Sequence, residues 1–445
     1  MKKVFVLLIF FTIGLQSSAQ VEFSGKVSGN GFYSNSKKLP FWFYSNQRGR
    51  ISDSTDFSGL VSAKLNYDFS EISSLEVGGG LLYDDQFSDE IAIDELYAEF
   101  DWKWLQVIAG RKQREELYRG LSATNENFAW SMNARPLPGI ELSTSRPLFF
   151  NQNKKLGIEI SWAEYFMGND RFVKGARLHS KSLFLIYNPS TSFKIKGGIS
   201  HYAIWGGISP KWGKQPEGFV DYLKIITGRE GGDNSAEPDQ QNVIGAHSGT
   251  YELYVTKKFS NYKLQFIYNH FFEDGTGSRY ANFPDGRYGL FYEEDVSSSL
   301  INSAIFEFYY TRDQSDGSSA PHEHDFYFNS FSMYKNGWTY KRRIIGVPFF
   351  DYDYNNELVG GNKFAAYHLA FGGEIQGKPH QLSVSYVFKE GAYFRPYNPK
   401  RKEFYGNYEI KLLQSFVDFD LQLGAEFSNV SNPIFGTGLS ISKQF

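Results

Sequence analysis

Two guanidinium groups follow a run of aromatic side chains in the stretch Pro40-Phe41-Trp42-Phe43-Tyr44-Ser45-Asn46-Gln47-Arg48-Gly49-Arg50. More cations sit in Gly110-Arg111-Lys112, in Asn133-Ala134-Arg135-Pro136 and in Ser145-Arg146-Pro147. Aromatic faces stack on sugar rings, and Arg donates paired hydrogen bonds to carboxylates or phosphates. The mixture suits an acidic polysaccharide, with Trp42, Arg48, Arg50, Arg111, Lys112, Arg135 and Arg146 as the candidate contacts. A plainer use stands beside it: cations pair with acids to neutralise a polar interior, and Phe and Trp form an interfacial girdle.

Other chemistry is thinly represented. His322 and His324 share one face of an extended segment beside Glu323 and Asp325, a spacing that could hold a metal but that also fits a polar loop. Asp351-Tyr352-Asp353 reads as a solvated loop, and Gly275-Thr276-Gly277 lacks the strand-then-helix setting of a phosphate loop. The eight His are scattered and no Ser sits in a nucleophile elbow, so no catalytic, metal or cofactor assignment is made. The absence of Cys excludes a disulfide framework, and a net charge of -3 gives no reason to expect nucleic acid.

The elements that position these residues read as strands. In the last thirty residues Phe419, Leu421, Leu423, Ala425 and Phe427 fall on one face and Asp418, Asp420, Gln422, Gly424 and Glu426 on the other. The chain then ends in a second alternating run, Gly438 to Phe445. Unpaired backbone groups in lipid cost several kcal/mol each, by order of magnitude, so a terminal strand in a membrane needs closure against the first. Similar alternation recurs from Val21 to Tyr33, near Phe41, from Val61 to Phe69, and onward through Phe326 to Tyr334, Phe364 to Ile375 and Leu382 to Phe388. The expectation is an all-β, antiparallel transmembrane barrel of about 18 strands (16–18), with a lumen wide enough for water or a ligand.

Aromatic residues make up 18% of the chain, with 42 Phe and 30 Tyr, and the mean hydropathy is -0.41, values that suit strands with one wet face. Lys2 and Lys3, the apolar run Val4 to Leu15 and Ser17-Ser18-Ala19 read as a signal peptide over residues 1–19, leaving a single barrel domain over 20–445. Glu217 to Gly228 carries helical spacing and is expected as a short helix in a long loop, folded into the lumen or capping the mouth.

The runs Phe41 to Arg50, Gly110-Arg111-Lys112, Gly120 to Asn125, Asn133 to Ile140 and Asn336-Gly337-Trp338-Thr339-Tyr340 resemble the Wzi family of capsule-assembly outer-membrane barrels, in the form found in Bacteroidetes-type bacteria. That resemblance implies an eighteen-stranded barrel in the bacterial outer membrane that binds capsular polysaccharide as a lectin and catalyses no reaction. The better-known members carry an amino-terminal helical bundle, whereas this chain enters strands soon after Gln20. The aromatic last residue, Phe445, resembles the terminal signal that the barrel-assembly machinery reads. Acidic surface polysaccharide, outer-membrane lipid and that machinery are the expected partners. A passive porin and an outer-membrane lipid or glycan hydrolase are the rival readings. An inward-folded loop favours the binding protein, and an unobstructed bore favours the porin.

Overall fold

The computed structural model describes residues 21–87, 90–233, 235, 243–296, 298–315, 325–328 and 333–445. The expected signal peptide, 1–19, lies outside the described residues, as do His322, Glu323 and His324. Eighteen antiparallel strands form the wall: β1 Val21–Ser34, β2 Phe57–Ser70, β3 Ser73–Asp84, β4 Ile91–Trp102, β5 Leu105–Arg111, β6 Gly139–Thr144, β7 Leu156–Phe166, β8 Arg177–Ser190 and β9 Phe193–Trp205, then β10 Ala246–Lys258, β11 Tyr262–Phe272, β12 Gly286–Glu294, β13 Ser303–Tyr310, β14 Lys363–Ile375, β15 Lys378–Ala392, β16 Arg395–Gln414, β17 Asp418–Ser428 and β18 Ile434–Gln444. Each strand pairs with its neighbour in the chain, and the ring closes where β1 meets β18, from Lys26 opposite Gln444 to Ser34 opposite Gly436. Beyond that register the Gly25 amide donates to the Phe445 carbonyl at 2.7 Å, and the Phe23 and Phe445 rings stack 6.2 Å apart. The terminal strand therefore leaves no open edge, as the alternation required.

Side chains follow the period-two pattern. On β2 the outward positions Phe57, Val61, Leu65 and Phe69 are exposed to the surroundings of the barrel, which is the apolar face a lipid belt needs. One rim has short connections, such as residues 71–72, 103–104 and 376–377, together with the start of β1 at Val21 and the end of β18 at Gln444. The other rim carries the long segments 35–56, 112–138, 206–245 and 311–362. Short turns mark the periplasmic rim in barrels of this kind.

Three expectations needed correction. The segment near Phe41 is not a strand: α1, Phe41–Tyr44, is one helical turn whose rings are buried inside the barrel. The described part of 326–334 forms turns, with 329–332 outside the described residues, so aromatic alternation there reflected core packing and not a wall strand. The helix α2, Phe219–Thr227, does form and ends at Gly228 in the left-handed conformation. It lies neither in the lumen nor over the mouth, but against the outer wall, where Tyr222 packs on Trp162, His179 and Trp205.

Candidate functional site

Three of the long segments turn inward and fill the bore with a second, soluble-like core. Phe41 and Trp42 from the first, Phe128 and Trp130 from the second, and Phe328, Trp338, Phe349 and Phe350 from the third pack into one cluster. Wall residues Tyr165, Tyr202, Phe271, Tyr309, Phe364, Val387 and Tyr405 belong to the same cluster. Phe41 stacks on Tyr405 with ring centroids 4.1 Å apart, and its amide donates to Glu426 Oε2 at 3.1 Å. Phe43 reaches the wall at Gly424, where an added Cβ would lie 2.4 Å from its ring. A glycine is needed there because the plug approaches the backbone itself.

Several polar groups inside the plug are paired, which a buried loop requires, while Trp42 Nε1 is buried without a hydrogen-bond partner. Asn46 donates to the Ala123 carbonyl at 2.9 Å and accepts from the Met132 amide at 3.2 Å. Asn133 donates to the Ile344 carbonyl at 3.0 Å, and Trp338 Nε1 donates to the Ala129 carbonyl at 2.6 Å. A fully buried ion pair on the wall fastens the plug, with Arg287 on β12 lying 2.6 Å from Glu307 on β13. Glu307 also accepts from Ser122 Oγ at 2.9 Å and the Ala123 amide at 2.8 Å, while Arg287 donates to the Glu126 carbonyl at 3.1 Å. The pair thus clamps residues 122–126 of the plug to the wall.

Six of the seven predicted contacts gather at this plug. Arg50 is bidentate to Asp94 on β4, at 2.9 and 2.6 Å. Lys112 lies 3.2 Å from Glu76 and also pairs with Glu99. Arg135 is buried, donates to the Gly49 carbonyl at 3.2 Å and lies over the Phe87 ring. Arg111 donates to the Ile93 carbonyl at 3.0 Å and to Tyr340 Oη at 3.3 Å. Trp42 is buried, with its ring edge-on to Phe41 and Phe349. Among the described residues Arg48, like Arg111 and Arg135, pairs with no acid. The Arg48 guanidinium donates to the Arg114 carbonyl at 2.7 Å. Burial, and then the neighbouring Arg50, hold its pKa below the usual guanidinium range. Arg146 is separate: it is exposed in the connection between β6 and β7, at the opposite rim.

Below the plug the lumen is a recess in two lobes that share Glu116 and Arg119 in their linings. The lobes measure about 880 Å³ and 810 Å³, within the range of roughly 300–1,000 Å³ common for ligand sites. The first is walled by Tyr118, Trp130, Tyr202 and Tyr254 together with Lys194, Lys196 and Glu159. The second holds Arg48 and Arg50 with Lys26, Gln422, Glu409 and Asp420. Both run down to residues beside the short turns, such as Lys258, Lys263, Glu374 and Lys411, and open there.

Lys26, Lys194 and Arg119 were not picked out from sequence. They occupy the inward phase of a strand or the plug floor, so alternation signals that they face water but not at what depth. Ser385 Oγ lies 2.8 Å from His368 Nδ1, and both residues are 2% exposed, with His368 Nε2 held by the Leu121 carbonyl at 2.8 Å. The pair is buried, with His368 bordering the second lobe. Among the described residues no cluster of three or more His, Cys, Asp or Glu side chains has the geometry of a metal site.

A family model described as "Capsule assembly protein Wzi" matches residues 25–353. No curated protein matches the chain. Among solved structures, Wzi of Escherichia coli, an outer-membrane protein involved in group 1 capsule assembly and described as a carbohydrate-binding β-barrel, superposes with a TM-score of 0.61 at 12% identity, covering 94% of this chain and 83% of that one. OccK3 of Pseudomonas aeruginosa superposes with a TM-score of 0.51 at 10% identity, covering 96% of this chain and 95% of that one.

Proposed function

The chain belongs to the Wzi family of capsule assembly proteins, and on that premise we propose that it binds acidic capsular polysaccharide at the outer membrane as a lectin, helping to assemble or retain the capsule. The observation that carries this reading is the plug. A bore filled by a hydrogen-bonded aromatic core is poorly suited to passive flow, while the recess beneath it combines aromatic walls, hydroxyls and charge at the scale of a few sugars. A hydrolase would need a reachable nucleophile, and the Ser385–His368 contact is buried. The protein is read as a binder without a reaction.

Several weak contacts to a long repeating polymer add up through effective concentration. Among the described residues that line the recess, Arg48 supplies a guanidinium outside any ion pair, and Lys26 and Lys194 supply ammonium groups outside any ion pair. Because the recess opens at the short-turn rim, the polymer is gripped from the periplasmic side of the plug. Outer-membrane lipid around the belt and the barrel-assembly machinery acting on β18 complete the partners, and residues 1–19 serve as the export signal.

Retention of purified acidic capsular polysaccharide by the detergent-solubilised protein tests the reading. Arg48→Ala should weaken binding about 10-fold, the loss of one charged hydrogen bond of about 1.5 kcal/mol, and wild-type binding should weaken as salt is raised. Arg342→Ala, exposed on the long-loop rim and absent from the recess lining, should bind like wild type. Equal binding by Arg48→Ala and wild type would remove Arg48 from the site, and a wild type that retains no polysaccharide would end the proposal.

A further inference from the structure

Among the described residues the outward face of the barrel carries a polar patch on four neighbouring strands. On β7 to β10 the alternation that places Glu159, Ser161, Ser180 and Ser182 in the lumen places Trp162, Glu164, His179, Lys181, His201 and His247 on the outside. Ionisable side chains on the lipid face of a barrel are costly unless paired or covered. Here they are both. Glu164 Oε1 lies 2.6 Å from His179 Nδ1 and Glu164 Oε2 accepts from Trp205 Nε1 at 3.2 Å. His201 Nε2 lies 2.9 Å from His247 Nδ1, whose other nitrogen lies 2.8 Å from the Ile244 carbonyl. Lys181 donates to the Ile226 carbonyl in the last turn of α2, where a cation is favoured by the helix dipole.

The height of this patch decides what surrounds it. From Lys181 the outward positions of β8 down to the short-turn rim are Leu183, Leu185 and Tyr187. Six residues at ~3.3 Å each give about 20 Å of strand, or roughly 15 Å along the axis at the usual tilt. The apolar band of such barrels is about 25 Å tall. On β2, by contrast, the outward run from Phe57 to Phe69 is uninterrupted and spans roughly 30 Å by the same reckoning. The polar patch therefore falls inside the band. The missing apolar surface is supplied by α2: Tyr222 and Ile225 face the wall, while Phe219, Val220 and Leu223 point away from it and are 75%, 66% and 45% exposed. A helix apolar on both sides is built to lie between two apolar surroundings.

We propose that α2 is a membrane-seated strap: it covers the polar patch on β7 to β10 and presents Phe219, Val220 and Leu223 to the acyl chains of the outer leaflet, completing the lipid belt. The occupant is lipid because the exposed helix face continues the belt formed by Leu183, Leu185 and Ile199 on the same wall.

The chain has no Cys, so single nitroxide labels can be placed cleanly on the full barrel in lipid nanodiscs. Labels at Leu223→Cys and, as a second position on the same face, Phe219→Cys should be relaxed strongly by oxygen and weakly by a water-soluble nickel chelate, like a belt control at Leu185→Cys. A label at Tyr354→Cys on the outer loops should show the reverse. Chelate accessibility at both α2 positions matching the Tyr354→Cys control would overturn the proposal. So would strong spin–spin coupling between labels on two molecules, which would make a second copy the occupant.

Discussion

Glu307→Ala is expected to open the barrel. The substitution leaves the buried Arg287 guanidinium without its counter-charge and strips Ser122 Oγ and the Ala123 amide of their acceptor. Removing one partner of a buried pair costs about 3–5 kcal/mol, and here the loss falls on the contact that fastens 122–126 to the wall. Swelling of liposomes in small sugars should be near background for wild type and rise severalfold for Glu307→Ala. The joint replacement Arg287→Met with Glu307→Leu removes both charges and should leak less than the single variant. A Glu307→Ala barrel as tight as wild type would mean that the aromatic core alone holds the plug.

Removing β18, residues 434–445, is expected to abolish the assembled barrel. The nine positions of β1 from Lys26 to Ser34 lose their partners, as does the facing edge of β17, and each orphaned backbone group in lipid costs several kcal/mol by order of magnitude. The shortened chain cannot substitute β17 for β18 without changing geometry. Strands alternate in direction, so β1 and β17 run parallel and would have to pair with a different hydrogen-bond pattern. Loss of the compact, heat-modifiable form on gels is the expected result. A stable compact form from the truncated chain would show that the seam does not hold the ring together.

Much of this architecture was legible because a barrel wall obeys a simple rule. Strands such as β2 and β17 alternate cleanly since one face meets lipid and the other water. The strand β12 was missed for a physical reason: Phe291 on its inward face packs against Leu121 of the plug, and Arg287 is buried against Glu307, so aromatics occur on both faces and the pattern blurs. The same inward packing made the segment near Phe41 look like a strand. The candidate cations stand close together in the sequence because they flank the strands that carry the plug. Which of them keeps a charge to offer was not legible, since Asp94, the partner of Arg50, and Glu76 and Glu99, the partners of Lys112, lie on wall strands remote in sequence. Only the fold brings them together and leaves Arg48, in the recess wall, outside any ion pair among the described residues.

The central claim is that this outer-membrane barrel is a closed platform for polysaccharide and not a conduit. Conductance of the purified wild-type protein in planar bilayers tests it most directly. The plug predicts a membrane that stays electrically quiet after insertion, with at most brief, small openings. Large, steady single-channel currents from the wild type would contradict it.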